Sequence, residues 1–233
     1  MIFEDAKKLF EKYGLNLDEE KYNKFCKYEK MLVETNKVMN LTAITETNDV
    51  WIKHFLDSVL IVEKVGFTKN ASVIDVGCGA GFPSIPLAIY RDDLKITMLD
   101  SLNKRVGFLK DVILELSLDK CQAVHSRAED AGKNKEYREK YDYAVARAVA
   151  NMSTLSEYCL PFVKEDGLFI AMKGPNEDIN AASDAIVTLG GDFDDRIEYD
   201  VEGNSRIVYT VYKVSPTPSK YPRNSKQMKN NPL

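Results

Sequence analysis

The fold is decided by the stretch Val73-Ile74-Asp75-Val76-Gly77-Cys78-Gly79-Ala80-Gly81-Phe82-Pro83. An apolar, β-branched run that includes one acidic residue leads into three glycines at alternate positions. Such a run is typical of a buried parallel strand that enters a tight turn. Glycine lets the backbone approach a ligand where a Cβ would collide. The stretch therefore predicts a strand, a ligand-binding turn and the start of a helix.

The spacing of the three glycines distinguishes between two kinds of nucleotide site. The turn that binds nicotinamide cofactors spaces its glycines G-x-G-x-x-G. Here the third glycine, Gly81, comes one residue earlier, and Phe82 stands where that pattern has glycine. The form D-x-G-x-G-x-G is instead typical of methyltransferases that use S-adenosylmethionine. We therefore expect Asp75, Gly77, Gly79, Gly81 and Phe82 to contribute to an S-adenosylmethionine site.

Length and composition indicate a globular protein of the cytoplasm. The chain has 233 residues, enough for one large domain with a full core. Apolar runs such as Val59-Leu60-Ile61-Val62 fall far short of the ~18 residues of a membrane helix. The N-terminus, Met1-Ile2-Phe3-Glu4-Asp5, carries acids where a secretory signal would carry bases. The four cysteines form no C-x-x-C pair and there are only two histidines, so we expect no metal site.

Charge is distributed unevenly along the chain. The formal net charge of −4 argues mildly against a free-standing nucleic-acid binder, because such proteins are usually basic. Residues 203–233, however, contain six basic side chains and no acid. This segment is therefore where we expect a phosphate backbone to be met.

Residues 1–66 are predicted to be helical, because their apolar side chains recur at steps of three and four residues. Gly14 is expected to end a first short helix, and Asp18 to cap the second. Asn48 is expected to cap a third helix, which ends at Gly66. We interpret this region as an N-terminal helical extension.

From Ala71 onward, predicted strands alternate with predicted helices. The strands are expected at Ser72–Val76, Lys95–Leu99, Gln122–His125, Tyr143–Arg147, Leu168–Lys173, Ile197–Tyr199 and Ile207–Val214. The helices are expected at Pro83–Tyr90, Lys104–Leu116, Met152–Phe162 and Glu177–Leu189. This order predicts an α/β fold with a mostly parallel, doubly wound sheet and an antiparallel edge. We assign residues 67–214 to this domain and residues 215–233 to a basic C-terminal tail.

Polar residues stand where several predicted strands end, and ligands of such sheets bind beyond the carboxyl ends of the strands. Asp75 is expected either near the methionyl end of the cofactor or as a residue that stabilises the turn. Asp100 follows Gly81 by 19 residues, which favours bonds to the ribose hydroxyls over a role as an N-cap. Ala128 and Glu129 follow the third strand, at a position that commonly faces an adenine ring.

Two cations and one histidine are further candidates. Arg147 ends an apolar strand, where a charge is costly unless it is partnered. Its expected partner is the carboxylate of the cofactor, an RNA phosphate, or one of the acids Glu129 and Asp100. Lys173 is expected to face the same opening or to be solvated. His54 is either an ordinary surface histidine or a residue of a helix that contacts the substrate.

Taken together, the motifs resemble the bacterial small-subunit ribosomal RNA methyltransferase G family (RsmG), also called glucose-inhibited division protein B. The resemblance covers nearly the whole chain and includes Asn40-Leu41-Thr42-Ala43-Ile44, His54-Phe55-Leu56-Asp57-Ser58, the glycine turn, Ser126-Arg127-Ala128-Glu129, Arg147-Ala148-Val149-Ala150, Lys173-Gly174 and Thr217-Pro218-Ser219-Lys220-Tyr221-Pro222-Arg223. The glycine turn alone indicates only a methyltransferase. The motif before the sheet and the basic tail are more specific.

The resemblance implies methyl transfer from S-adenosylmethionine to N7 of one guanine in the decoding-region loop of 16S rRNA. It also implies cofactor contacts at Gly77, Phe82, Ala128, Glu129 and Arg147. Guanine N7 has a lone pair and no proton, so we expect direct in-line attack with no catalytic base. Arg147 and Lys173 are then candidates for positioning the reactants.

The expected partner is 16S rRNA, within the small ribosomal subunit or its precursor, and we expect a monomer. His54, Lys220 and Arg223 are the expected RNA contacts. The family has a second basic residue and a small residue after the arginine, where this chain has Asn224-Ser225. We therefore expect a weaker or redistributed contact between the tail and RNA.

Two other functions stay open at this point. One is an S-adenosylmethionine-dependent methyltransferase that acts on another RNA or a small molecule, since a fold does not determine a substrate. The other is a non-catalytic module that binds S-adenosylmethionine or RNA. The basic tail argues against a small-molecule substrate, and the intact glycine turn argues against a non-catalytic module.

Overall fold

A seven-stranded sheet forms the middle layer of the computed structural model, which describes residues 1–147, 149–174 and 179–233. The strands are β1 (Ser72–Val76), β2 (Lys95–Asp100), β3 (Cys121–His125), β4 (Tyr141–Arg147), β5 (Val163–Lys173), β6 (Gly191–Val201) and β7 (Asn204–Lys213). Their order is β3-β2-β1-β4-β5-β7-β6, and only the pairings of β7 are antiparallel. All seven predicted strands and the antiparallel edge are confirmed.

Helices cover both faces of this sheet. They are α1 (Phe3–Glu11), α2 (Glu19–Met39), α3 (Thr47–Val50), α4 (Asp57–Val65), α5 (Ser84–Tyr90), α6 (Asn103–Glu115), α7 (Ala128–Ala131), α8 (Met152–Cys159), α9 (Ser183–Thr188) and α10 (Ser225–Asn230). The predicted helix 177–189 begins outside the described residues; its described part is a 3₁₀ turn, Asn180–Ala182, followed by α9. Within the described ranges, no helix has the length and apolar character needed to cross a membrane.

Side-chain caps explain several helix boundaries. Asp18 accepts a hydrogen bond from the amide of Lys21 at 2.8 Å, which confirms it as the cap of α2. The prediction that Asn48 caps a helix is wrong, because α3 begins at Thr47 and Asn48 lies inside it. The N-cap residue is Glu46, whose side chain makes no cap hydrogen bond. Asn224, at the position where the chain departs from the family pattern, forms a capping box that starts α10.

The predicted third helix is not regular. Between α3 and α4 the residues Trp51–Leu56 form a π-helical turn. Such turns occur mostly as single insertions within α-helices and are frequent at functional sites. His54 lies in this turn, and Asp57 begins the helix that follows.

Two apolar clusters, one on each face of the sheet, form the core. On β1 the residues alternate, so that Val73 belongs to one cluster and Ile74 and Val76 belong to the other. The N-terminal helices share the first cluster with the sheet, through stacked aromatic rings such as Phe25 on Phe55 at 4.9 Å. The helical extension therefore packs directly against the element that carries the glycine turn.

Strand β6 forms one edge of the sheet and is strongly acidic. Its acidic residues are Asp192, Asp194, Asp195, Glu198 and Asp200. Charges along an edge strand oppose pairing with a second chain. This edge is therefore poorly suited to dimerisation by strand addition.

The glycine turn between β1 and α5 is supported from below by α2. The hydroxyl of Tyr28 donates a 2.6 Å hydrogen bond to the carbonyl of Ala80. Gly81 has a φ of +101°, and a Cβ there would lie 2.6 Å from Ile85 and 2.9 Å from Leu109. Gly79 has a φ of +59°, but a Cβ on it would meet open space. Gly81 is therefore required by packing as well as by backbone conformation.

We expect Gly81→Ala to lower the free energy of unfolding by about 2–5 kcal/mol, and Gly79→Ala by only about 1–2 kcal/mol. Both variants place a side chain at positive φ, which costs about 1–2 kcal/mol. Only Ala at 81 also overpacks the core, which costs about 1–3 kcal/mol more. Equilibrium urea denaturation measures both values, and equal losses would contradict the packing argument.

Asp75 lies on β1 beneath the turn and is fully buried. Its Oδ2 accepts hydrogen bonds from the amide and the hydroxyl of Ser84, at the start of α5. Its Oδ1 has no hydrogen-bond partner among the described residues. Burial raises the pKa of Asp75 to about 7, although the bonds from Ser84 oppose the shift.

Asp75→Asn should make the protein gain stability relative to the wild type as the pH rises. Because the folded-state pKa exceeds the usual 3.8, the wild-type carboxyl loses its contribution to stability as the pH rises towards about 7. Asparagine does not titrate, so the difference in unfolding free energy should grow by roughly 1 kcal/mol per pH unit in that window. Urea denaturation between pH 4 and 8 tests this, and a pH-independent difference would show that Asp75 is already ionised.

Candidate active site

Two adjoining cavities lie at the carboxyl ends of the parallel strands, where β1 and β4 are neighbours and the strand order reverses. The first cavity has a volume of about 420 Å³ and lies over β1, β2 and α7. The second cavity has a volume of about 710 Å³ and lies between the π-helical turn and the ends of β4, β5 and β7. Val149 and Ala150 line both and separate one from the other.

The first cavity contains four of the predicted cofactor residues, Gly77, Asp100, Ala128 and Glu129. Asp100 and Glu129 are both buried, and their carboxylates are acceptors for hydroxyl and amino groups. Leu99 and the apolar partition add a nonpolar wall. This combination fits a nucleoside, with two carboxylates for its polar groups and apolar side chains for its ring.

Asp100 ties the glycine turn to the segment after β2. Its Oδ2 accepts from the amide of Gly79 at 2.9 Å, and its Oδ1 accepts from the amide of Leu102 at 2.8 Å. Leu102, rather than Asp100, is the N-cap residue of α6. The alternative that Asp100 caps this helix is therefore wrong, and its carboxylate stays at the wall of the first cavity.

The backbone amides of the three glycines, which were expected to contribute to the cofactor site, form hydrogen bonds within the protein. The amides of Gly77 and Gly81 donate to the carbonyls of Leu99 and Cys78, both at 2.8 Å, and that of Gly79 donates to Asp100. Only Gly77 among the three lines the first cavity. A Cβ on Gly77 would lie 3.0 Å from Val149, so its glycine permits close approach of the partition.

Asp75 does not reach either cavity. Its carboxylate is fully buried and contacts Ser84, as described above. Of the two roles considered for Asp75, the structure supports the one that stabilises the turn. Its predicted place near the methionyl end of the cofactor stays a prediction, because the side chain points into the core below the turn and lines neither cavity.

Phe82 lies under the second cavity rather than in the first. Its ring stacks on that of His54 at 4.3 Å, and the guanidinium of Arg147 lies 4.9 Å from its centroid. It lines neither cavity. The family resemblance implied cofactor contacts at Phe82 and Arg147 as well as at Ala128 and Glu129. In the structure the first two lie at the second cavity, and the last two line the first cavity.

Within the protein, Arg147 pairs with residues of the N-terminal helices. Its Nη1 lies 3.5 Å from Asp57 and donates to the carbonyl of Lys53 at 3.3 Å. Its Nη2 donates to Nδ1 of His54 at 3.1 Å. The prediction that Glu129 or Asp100 pairs with Arg147 is wrong, because Arg147 faces the N-terminal helices instead.

His54 is held as a neutral imidazole. Arg147 can only donate, so Nδ1 of His54 accepts, and its Nε2 carries the proton and donates to the hydroxyl of Thr42 at 2.9 Å. Burial, together with the charge of Arg147, lowers the pKa of His54 to about 3. The ring is therefore buried in the wall of the second cavity and is not an ordinary surface histidine.

Lys173 reaches the second cavity from the end of β5 and is buried. Its ammonium donates to the carbonyl of Ala150, in the partition between the two cavities. The alternative that Lys173 is solvated is therefore wrong.

The basic tail does not extend freely. Arg223 forms an ion pair with buried Glu157 of α8, with Nη2 to Oε2 at 2.7 Å, and Arg138 donates to the carbonyl of Tyr221 at 2.9 Å. Tyr221 belongs to the core cluster on the face opposite His54. The structure does not bring the predicted RNA contacts together: Arg223 anchors the tail, and Lys220 alone is exposed.

Several residues of the second cavity were not predicted as site residues, among them Asp57, Tyr199 and Arg206. Asp57 follows His54 by three positions, a spacing that puts both on one helical face. The sequence contains no specific signal for the other two. Tyr199 was predicted only as part of an edge strand, and Arg206 only as one of the basic residues of segment 203–233. Long-range pairing of β7 with β5 carries Arg206 to this cavity.

Comparison with known proteins agrees with this arrangement. The chain matches the family model of GidB, described as rRNA small subunit methyltransferase G, over residues 21–194. It is 46% identical over 236 residues to the Ribosomal RNA small subunit methyltransferase G of Clostridium perfringens strain SM101, which covers 99% of this chain and 98% of the relative. The resemblance inferred from the motifs is thus confirmed.

Solved structures of low sequence identity share the fold. A SAM dependent methyltransferase from Aquifex aeolicus matches with a TM-score of 0.54 and 16% identity, over 71% of this chain and 93% of that chain. A geranyl diphosphate C-methyltransferase from Streptomyces coelicolor, in complex with S-adenosyl-L-homocysteine, matches with a TM-score of 0.54 and 9% identity, over 67% and 78%. These likenesses concern the fold alone and confirm the predicted class I methyltransferase architecture. From the family match and the full-length relative together, the chain belongs to the GidB family, rRNA small subunit methyltransferase G, and its cofactor is S-adenosylmethionine.

Proposed function

We propose that the protein transfers a methyl group from S-adenosylmethionine to N7 of a guanine in 16S rRNA, with no general base. The names of the family and of its relative supply the substrate class, ribosomal RNA of the small subunit. The observation that carries the choice of atom is the second cavity, which adjoins the first and contains hydrogen-bond donors but no available base among its described residues.

The groups that could act as a base in the second cavity are already engaged. Both nitrogens of His54 are hydrogen-bonded, and burial beside Arg147 lowers the pKa of His54, which makes it a weak base. The two oxygens of Asp57 contact Arg206 at 3.0 Å and Arg147 at 3.5 Å. A target atom that must lose a proton would find no acceptor among these groups. A ring nitrogen with a lone pair and no proton, such as guanine N7, needs none.

The donors of the second cavity also favour guanine over adenine. Arg147, Lys173 and Arg206 line it, and their charged groups donate hydrogen bonds without accepting them. Beside N7, guanine presents the acceptor O6, whereas adenine presents an amino group, which is a donor. A cavity rich in donors therefore complements O6 of guanine, beside the N7 lone pair that attacks the methyl group, and not the amino group of adenine.

The partition between the cavities is the place where the two reactants meet in this proposal. S-adenosylmethionine supplies an activated methyl group when it is bound. We assign Gly77, Asp100, Ala128 and Glu129 to binding it, and Arg147 and Lys173 to positioning the guanine. Lys173 also holds the partition through the carbonyl of Ala150. Alignment of bound reactants supplies roughly 7–11 kcal/mol in favourable intramolecular cases, so positioning alone is a sufficient role for the protein.

We further propose that the substrate is the small subunit or its precursor and that the protein acts as a monomer. The net charge of −4 and the pinned tail leave few cations to hold naked RNA. The acidic β6 edge opposes pairing of two sheets. A folded ribosomal particle presents a defined surface, so the protein can recognise its shape in addition to making a few contacts to phosphates.

Asp100→Asn should weaken the affinity for S-adenosylhomocysteine by about 10–100-fold, because hydrogen bonds to a charged group contribute about 1.5–3 kcal/mol. Asp111→Asn, on the exposed part of α6, is the matched control and should bind as the wild type does. Isothermal titration measures both affinities. Equal binding by the two variants would remove Asp100 from the cofactor site.

Small subunits that lack the modification should accept one labelled methyl group per 16S rRNA from S-adenosylmethionine. Borohydride reduction followed by aniline treatment should then cleave the rRNA at a single guanine, because this chemistry requires methylation at N7. Subunits that already carry the methyl group are the control and should take up no label. Label on an exocyclic amine or on another base would overturn the assignment to N7, and label confined to small molecules would overturn the assignment to rRNA.

A further inference from the structure

Arg206 reaches the second cavity from β7 and meets the N-terminal helices there. Its Nε donates to Oδ1 of Asp57 at 3.0 Å, and its Nη1 donates to the carbonyl of Ser205 at 3.1 Å. Its Nη2 has no hydrogen-bond partner among the described residues. One edge of the guanidinium is thus held, and the other is available at the cavity wall.

The charges around Asp57 do not balance. Arg206 and Arg147 share this one buried carboxylate, at 3.0 and 3.5 Å, and the neighbouring His54 is neutral. Lys53, which also lines the cavity, already pairs with Asp49 at 2.9 Å. A poorly solvated charge without a counter-ion is costly. Among the described residues, the cluster around Asp57 therefore carries one positive charge more than it has acids to balance, which favours an anionic ligand.

Tyr199 gives a second, independent indication of a ligand. Its ring lines the second cavity, and its hydroxyl is buried without a hydrogen-bond partner among the described residues. Buried polar groups without a partner are uncommon and call for an explanation. A hydroxyl is a good donor to an oxyanion. Arg206 and Tyr199 come from paired strands, β7 and β6, so one rigid hairpin presents both groups.

We propose that Arg206 and Tyr199 form a phosphate subsite that binds the backbone phosphate of the target nucleotide. Asp57 is the positioning residue that orients Arg206. A guanidinium fork matches the oxygens of a phosphate, and a phosphodiester supplies the single charge that the cluster lacks. This proposal rests on the proposed function for the identity of the nucleotide. The carboxylate of S-adenosylmethionine is the other oxyanion available, but Arg206 does not line the first cavity.

Binding of unmodified small subunits, measured without cofactor over a range of salt concentrations, tests the subsite apart from methyl transfer. Arg206→Gln should weaken binding about tenfold and reduce the slope of log affinity against log salt by about 0.7, the value for one phosphate contact of a single strand. Arg206→Lys keeps the charge and should keep the slope. Arg196→Gln, on the exposed edge of the same hairpin, is the matched control and should change neither.

Tyr199→Phe provides a second variant that removes only an unpartnered hydroxyl and should therefore fold. It should weaken binding of the subunit severalfold with the salt slope unchanged, because it removes no charge. Thermal melting verifies the fold of each variant. If Arg206→Gln does not fold, the subunit affinities and salt slopes of Tyr199→Phe and Arg206→Lys test the phosphate subsite instead.

Several results would overturn the phosphate subsite. One is wild-type affinity and slope in both Arg206→Gln and Tyr199→Phe. Another is an equal fall of the salt slope in Arg206→Gln and Arg206→Lys, which would indicate that Arg206 acts only through its structural bond to Asp57. A third is weakened binding of S-adenosylhomocysteine by Arg206→Gln, which would assign the residue to the cofactor carboxylate. Failure of the wild type to methylate rRNA would refute the proposed function but leave the binding result to stand by itself.

Discussion

The carboxylate of Asp57 joins three parts of the molecule that are far apart in sequence. It begins the helix after the π-helical turn, and it contacts Arg147 at the end of β4 and Arg206 on β7. A buried carboxylate is costly without a cationic partner, and here two guanidiniums from different strands share it. The helical extension, the parallel part of the sheet and its antiparallel edge thus share one electrostatic centre. That centre forms a wall of the second cavity.

The division of the site into two cavities follows from the topology of the sheet. The first cavity lies over the half that contains β1 and β2, and the second over the half that contains β4, β5 and β7. The segment after β4 crosses between them, and Lys173 holds its carbonyl at Ala150. Within the described part of the chain, the first cavity is lined by two carboxylates and two arginines, whereas four cations and a single carboxylate line the second. The two cavities therefore differ in charge, and the second is the more basic.

Several predicted site residues line the first cavity, and the predictions that are wrong have a common cause. Asp100, Ala128 and Glu129 lie at or just after the end of a strand, so local sequence order places them at the carboxyl edge. Asp75 also lies near a strand end, but the alternation of side chains along β1 turns it into the core. The partners of Arg147 and Arg223 were missed because ion pairs between distant segments leave no local pattern. Asp57 carried a local signal only through its spacing from His54.

The sequence by itself determined the strands, the helices on both faces, the order of the fold and the class of cofactor. These properties depend on side-chain periodicity and on the spacing of glycines, which are local along the chain. Only the tertiary structure decided which charged groups face each cavity and which are neutralised. Arg206 and Arg223 are both basic residues of segment 203–233. In the structure Arg206 lines the second cavity, whereas Arg223 anchors the tail on Glu157. The physical reason is that neighbouring groups and solvent decide whether a charged side chain is paired or available to a ligand. The fold brings those neighbours from distant parts of the chain, and the packing sets how much water surrounds the charge.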